Sequence, residues 1–182
     1  IVELLHEQGP MYVEEIADKK DIAMSTAYRH VESLRCIGYL RHDEDDRYSI
    51  GYQFLELGDH ARNQNRIYQV SKSKINQLVK QTDERAQLFV EEHGLGSRIY
   101  GESGQQGVDT DTIGGQHTYL HTNAAGKAIL AYLPEQRREE IYERWGLPKQ
   151  TENTLTNRQE LESHLAEIRE RQYSFNKGER IQ

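Results

Sequence analysis

The sequence predicts an α+β chain in two parts, a small helical unit closed by a hairpin and a larger unit mixing strands and helices, on three observations. Residues 1–51 carry three short apolar patterns at helical spacing and then two β-prone runs, "YLRH" and "RYSIG". Residues 52–81 carry two longer helical patterns rich in polar positions. Beyond them, β-prone runs give way to three helical stretches, "NAAGKAILAYL", "PEQRREEIYERW" and "NRQELESHLAEIRERQ". A length of 182 residues with 35% hydrophobic content provides for modest cores in place of one large one.

Each element has a local cause. Residues 2–8 read as a first helix, broken by Gly9 and Pro10. The pattern starts at Ile1 with neither an initiator Met nor a capping residue before it, so the helix reads as one that has lost its start. Val13, Ile16 and Ala17 line one face of a second helix ending near Lys20. A third opens at Met24 or Ser25 and runs to about Ile37, where Gly38 stops it. With Ala27 at zero on a wheel of about 100° per residue, Val31 and Leu34 fall in a narrow arc around it; Ser25, Arg29, Glu32 and Ser33 gather opposite. The two runs that follow form a hairpin around the acidic tip "DEDD", with Leu40, Tyr48 and Ile50 inward and Arg41 and Arg47 outward on paired strands.

Helix, helix, helix, hairpin is the order of a winged helix-turn-helix, which assigns residues 1–51 to such a domain. Residues 52–66, with Phe54, Leu55, Leu57 and Ala61, read as a linker helix, and 67–182 as a second domain. That domain opens with a helix from Ile67 to about Gln81, then strands "AQLFVEEHG" and "SRIYGES" around a turn, with "VDTDTI" as a third strand. "YSF" begins a strand that the sequence does not finish, so the second domain reads as incomplete at its C-terminus. Cys36, the single cysteine, rules out an internal disulfide, and its apolar neighbours predict an inert core thiol.

Charge is unevenly placed. The total is -7, and residues 1–60 hold six Lys and Arg against thirteen Asp and Glu, leaving the remainder balanced. Acid beside a reader of polyanions is accounted for if the basic side chains cluster on one face, or if the protein works in strong salt. Fifteen Arg against eight Lys lean towards the second. No apolar run approaches the roughly 18 residues of a membrane span and no leader opens the chain, so the expectation is a cytoplasmic protein without a membrane partner.

No nucleophile elbow, phosphate-binding loop or clustered metal ligands occur, so no enzyme, cofactor or metal site is expected. Carboxylate pairs such as Glu91 and Glu92 read as strand decoration. His117 and His121, four apart, converge only on a helix; Thr118 and Tyr119 predict extended chain, which makes His121 a structural hydrogen-bonding residue.

Two stretches carry candidate binding chemistry. In a winged helix-turn-helix the third helix lies in a major groove. Ser25 and Thr26 then suit phosphate or base contacts, and Arg29 a guanine or a phosphate, with Ser33 on the same face. Tyr28 and His30 flank this face and either touch the sugar-phosphate backbone or pack, while Glu32 either accepts from cytosine N4 or, the favoured reading, is a bystander. Arg41 and Arg47 either grip phosphate together or balance Asp43 to Asp46 as a solvent-facing pair. The strands of the wing, not its acidic tip, are expected on DNA.

The second stretch is "HTYLHTNAAGKAIL". Asn123, or Thr122, can cap a helix whose next residues, Ala124, Ala125 and Gly126, are small enough to leave open N–H groups for a carboxylate, with Lys127 adding charge. The plainer reading, which spacing alone favours, is that Ala-Ala-Gly permits close helix packing and Lys127 faces water.

Taken in order, "STAYRHVESLRCIGYLRHDEDDRYSIG" with "FLELG", "LHTNAAGKAILAYLPE" and "LESHLAEIRERQYSFNKGE" resemble the recognition helix, wing and linker, the effector-domain signature, and the following stretch of the IclR family of transcriptional regulators. The resemblance implies an N-terminal winged helix for double-stranded operator DNA and a linker helix helping a homodimer form, often within a dimer of dimers. It further implies a C-terminal α/β effector domain around an antiparallel sheet. A small, commonly carboxylate-bearing effector would bind there, with Ala124 and Ala125 giving backbone donors beside Asn123 and Gly126. Asn176 stands where the family often has an acidic residue, and Tyr119 where a proline is frequent. The alternative from another class is a small-molecule sensor whose winged helix is a protein-interaction module, in keeping with its acid.

Overall fold

In the computed structural model, which describes residues 1–107 and 117–180, the chain divides into two units, Ile1–Asn65 and Arg66–Gln182. The first contains α1 (Val2–Gln8), α2 (Val13–Lys20), α3 (Met24–Cys36), β1 (Leu40–His42), β2 (Tyr48–Ile50) and α4 (Gln53–Gln64). Its core gathers Leu4, Leu5, Met11, Ile16, Val31, Leu40 and Tyr48. Ile16, Ala27 and Val31 are wholly buried, so α2 and α3 meet along the stripe that the helical period marks out. Strands β1 and β2 pair antiparallel, Leu40 with Ile50, Arg41 with Ser49 and His42 with Tyr48. Met11 exchanges two backbone bonds with Tyr48, of 3.0 and 2.7 Å, which ties the α1–α2 turn to the hairpin.

The exit from β2 is pinned by close packing. The Gly51 N–H donates to the Tyr39 carbonyl at 2.7 Å, and a Cβ at Gly51 would lie 2.9 Å from the Tyr39 carbonyl carbon and closer still to the Gly38 oxygen. Only a residue without a side chain fits there. The Phe54 ring then stacks 4.8 Å from Tyr39, which fixes the first turn of α4 against the α3–β1 connection. Past that turn α4 buries nothing.

The second unit contains α5 (Arg66–Thr82), β3 (Arg85–Glu92), β4 (Leu95–Ser103), β5 (His117–Tyr119), one 3-10 turn (Leu120–Thr122), α6 (Ala124–Tyr132), α7 (Glu135–Trp145) and α8 (Arg158–Arg171). The sheet is antiparallel in the order β3-β4-β5, with a register shift between Leu88 and Phe89. A core of Leu120, Leu130, Ala131, Ile141, Tyr142, Leu161, Leu165 and Ile168 binds α6, α7 and α8 together. Glu162 clips this bundle: it takes the Arg138 guanidinium at 2.8 and 2.9 Å and the Tyr142 hydroxyl at 2.9 Å. Glu91 proves to be more than decoration, because it accepts the Gly94 N–H at 2.7 Å and Arg137 at 2.8 Å, joining the β3–β4 turn to α7.

Two expectations are corrected here. Cys36 is exposed, not a core thiol. It lies nine residues beyond Ala27, half a turn away on the wheel, so its sequence neighbours are not its spatial ones. "YSF" forms no strand: Tyr173 and Phe175 meet edge to face at 5.3 Å with Arg171 against both rings, and no ladder includes them among the described residues. A strand needs a neighbour's backbone groups, and apolar alternation alone cannot provide them. "VDTDTI" lies outside the described residues. Among the described residues no helix is long and apolar enough to cross a membrane.

The packing at Gly51 sets a directional expectation. Gly51→Ala should lower stability in chemical denaturation by about 1–3 kcal/mol through overpacking. Gly58→Ala, on the α4 surface with nothing within 4 Å, should instead raise it by up to about 1 kcal/mol. The reverse order would contradict the packing described.

Candidate nucleic-acid interface and effector site

The outer face of α3 is open. Ser25, Tyr28, Arg29, His30 and Ser33 are exposed and Thr26 is half-buried, while Ala27 and Val31 anchor the opposite side. The Arg29 guanidinium has neither hydrogen bond nor ion pair among the described residues. The Ser33 hydroxyl, by contrast, donates to the Arg29 carbonyl at 2.7 Å, so part of its bonding capacity is spent on its own helix. Ala23, which precedes α3, supplies no side-chain cap; Thr26 and Ala27 N–H groups return to its carbonyl. The first turn therefore presents uncapped donors beside Ser25.

Glu32 is a strut, and no bystander. Its carboxylate takes Arg35 in a bidentate grip, Nε at 3.0 Å and Nη2 at 2.8 Å, and accepts the Tyr48 hydroxyl at 2.8 Å, fastening α3 to β2. The Arg35 hydrogen bonds, with that of Tyr48, hold the Glu32 carboxyl below its ordinary range. Burial, followed by the Glu32 bond, pushes the Tyr48 phenol up to about 12.

The hairpin arginines do not act as a pair. Arg41 stands opposite Ser49 in the ladder, whereas Arg47 lies in the turn before β2, its carbonyl accepting the Asp43 N–H at 2.9 Å. Arg47 is taken by the acidic tip: its Nη2 lies 3.0 Å from Asp45 and its Nε 3.4 Å from Asp43. Arg41 is exposed and touches no carboxylate among the described residues; its guanidinium sits 4.2 Å from the centre of the Tyr52 ring. Of the two readings of these arginines, Arg47 follows the second, balanced by its own aspartates because the turn brings it within their reach, while Arg41 follows neither.

At the second candidate site, α6 begins under close packing. A Cβ on Gly126 would fall 2.6 Å from the Leu120 Cα, so glycine lets the helix start press onto the preceding turn. Asn123 caps the helix, accepting the Gly126 N–H at 2.8 Å, and its amide donates to Thr118 Oγ1 at 3.2 Å. Ala124 and Ala125 are half-buried, and their N–H groups meet no acceptor among the described residues. His121 donates from Nε2 to the Pro148 carbonyl at 3.1 Å; burial holds its pKa below the usual imidazole value. His117 turns elsewhere, with Nδ1 2.8 Å from Ser97 Oγ.

Lys127 does not face water. It is wholly buried and ion-paired with Glu179, a partner 52 positions along the chain. The second Glu179 oxygen accepts the Lys177 N–H at 2.5 Å, and Thr154 Oγ1 donates to the Glu179 carbonyl at 2.7 Å. Thr151 and Asn153 donate to the carbonyls of Gly178 and Lys177. Residues 177–179 are thereby strapped to α6 and the α7–α8 connection. Asn176 is exposed and accepts the Gly178 N–H at 3.2 Å; among the described residues it makes no bond to α6. Among the described residues no three His, Cys, Asp or Glu side chains group as metal ligands.

Comparison with known proteins identifies the class. Residues 60–182 match the family described as "Bacterial transcriptional regulator IclR C-terminal". The chain is 29% identical to the "Probable HTH-type transcriptional regulator ArcR" of Halobacterium salinarum, over 100% of this chain and 70% of that protein. Among solved structures, the Thermotoga maritima IclR is 29% identical, with a TM-score of 0.73 over 95% of this chain and 70% of its own. An IclR homolog of Microbacterium hydrocarbonoxydans, complexed with 4-hydroxybenzoate, shares the fold at 22% identity, with a TM-score of 0.76 over 94% of this chain and 71% of its own. The chain belongs to the IclR family of transcriptional regulators, and its second unit corresponds to that family's C-terminal domain, of α+β content with a small antiparallel sheet.

The Lys127–Glu179 pair sets the next expectation. Lys127→Met or Glu179→Gln should each cost about 3–5 kcal/mol, because each leaves one buried charge without its partner, and the double substitution to Met should cost less than the two single changes together. Burial by itself would raise the Glu179 pKa, but Lys127 and the Lys177 N–H outweigh it and hold the carboxyl below 4.5. A depressed folded-state pKa adds stability above the unfolded value that is lost as pH falls through the folded one. Thermal melts from pH 7 downwards should therefore fall less steeply below about pH 4.5 in Glu179→Gln than in the unmodified chain. Parallel profiles would contradict the assignment.

Proposed function

We propose that the chain is an operator-binding regulator whose residues 1–51 form a winged helix-turn-helix that docks α3 in a major groove. Residues 52–66 then serve as a linker helix and 67–182 as the effector domain. The observation that carries this reading is the division of α3 into an apolar stripe, with Ala27 and Val31 fully buried, and an exposed polar face on which Arg29 has no partner among the described residues. Ser25, Thr26 and the uncapped first turn face phosphate or base edges, Arg29 reads guanine or grips phosphate, and Arg41 grips phosphate from β1. Tyr28 and His30 flank the contact. Arg47 and Ser33 contribute less, the first being held by Asp43 and Asp45 and the second by its own helix.

Leu55 and Leu57 on α4 are exposed, 72% and 40%, on a helix that buries nothing, which supports dimerisation through this helix and two-fold related half-sites. The effector is a small carboxylate-bearing molecule received at the Ala124 and Ala125 N–H groups, supported by the 4-hydroxybenzoate, an aromatic carboxylate, with which the Microbacterium homolog is complexed. Lys127, neutralised by Glu179, holds the strap in place and leaves the recognition to backbone donors. Effector binding favours one spacing of the two reading heads over another, which needs different affinities for the two arrangements. A regulator of this kind works in the cytoplasm, where the operator is.

The acid of residues 1–60 favours a second reading, in which the first unit recognises a protein surface. Fluorescence anisotropy against a duplex from the chain's own upstream region and against a random duplex, at several salt concentrations, separates the two. Arg29→Ala should abolish the preference for the upstream duplex, and Arg41→Ala should weaken both and reduce the salt slope by about one. Unchanged binding by both variants would remove the proposed interface, and no binding at any salt would favour the protein partner.

A further inference from the structure

The hairpin of the first unit holds two outward arginines in unlike states, and a residue outside the reading face makes the difference. Arg47 is bound by Asp43 and Asp45. Arg41, on the same hairpin and with the same acidic tip one residue beyond its strand neighbour His42, makes no ion pair among the described residues. Its guanidinium lies instead over the Tyr52 ring at 4.2 Å. Tyr52 precedes α4 and is 66% exposed, so the ring fills no core space. Its backbone is nonetheless fixed from both sides, by Gly51 packed onto the Gly38–Tyr39 backbone and by Phe54 stacked on Tyr39. An exposed aromatic ring on a rigid mount, facing a cation that has no carboxylate partner, is a positioning device.

We infer that Tyr52 positions Arg41 for a DNA phosphate, holding the guanidinium by its flat face away from the wing's aspartates and leaving its in-plane N–H donors open. Stacking uses the π-face of the guanidinium and none of its five N–H groups, so the cation is restrained without being bonded away. A phosphate that arrives in the guanidinium plane meets a donor fork already oriented. In a domain with more acid than base, this arrangement keeps one arginine in working order where Arg47 has been lost to its own turn. The inference rests on the DNA-binding reading and adds to it a residue that makes no base contact.

The test is a double-substitution cycle on the full chain, read by anisotropy with the upstream duplex and with a random duplex of the same length. Tyr52→Ala should weaken binding to both duplexes by about three- to tenfold, and Tyr52→Phe, which keeps the ring, should stay within about twofold of the unmodified chain. In an Arg41→Ala background, Tyr52→Ala should change nothing further, because the residue acts through the arginine. Thermal melts of Tyr52→Ala should match the unmodified chain, separating loss of positioning from loss of fold. An equal fold-loss in both backgrounds, or an equal loss with Tyr52→Phe, would overturn the positioning role. Full affinity in Tyr52→Ala beside loss in Arg29→Ala would overturn it too while leaving the reader intact, and failure of the unmodified chain to bind either duplex at any salt would overturn both.

Discussion

The seating of Ala27 and Val31 against α2 is the constraint on which the first unit depends. Both are wholly buried, and with Ile16 facing them they allow α3 one rotational setting. Turn that helix by half a turn and Arg29 would enter the core while Leu34 left it. Because the apolar stripe is narrow, the remainder of the surface of α3 is free for polar chemistry. The Glu32 strut to Tyr48 and Arg35 then fixes the hairpin at the same rotational setting. Helix α3 and the hairpin are thus held in register by one packed stripe and one carboxylate.

The electrostatics of this unit are settled locally and not by its sum. Thirteen acids against seven bases would repel a polyanion if charge were smeared evenly. Yet carboxylates are spent where cations are near: Glu32 on Arg35, Asp43 and Asp45 on Arg47. Arg29 has no acidic partner among the described residues, and Arg41 lies over an aromatic ring. Strong salt would screen the carboxylates left unspent.

Much of this was legible because it is local. The helical period located α3 and separated Ser25 and Arg29 from Ala27; the small residues after Asn123 marked an uncrowded, capped helix start. Cys36 shows how the same information is misread: Leu34 and Ile37 beside it in sequence suggest a core, but the wheel puts it on the polar side, and Ile37 itself is 57% exposed. Arg41 and Arg47 differ because the first lies in a strand and the second in the turn beside Asp43 and Asp45, a boundary that only the pairing reveals. Lys127 was out of reach altogether, because its partner is 52 residues away and no spacing rule spans that distance. The long-range ties, Glu179 to Lys127 and Glu162 to Arg138, are those that turn helices into a domain, and they leave no periodic trace.

Whether the polar face of α3 meets a duplex is decided most directly by hydroxyl-radical footprinting of the full chain, with and without saturating upstream duplex. The exposed rings report on it: Tyr28 and His30 on α3 against Tyr173 and Phe175 in the second unit. Docking of α3 in the groove predicts that DNA protects Tyr28 and His30 while Tyr173 and Phe175 keep their rates. Unprotected Tyr28 and His30 under bound duplex would contradict it.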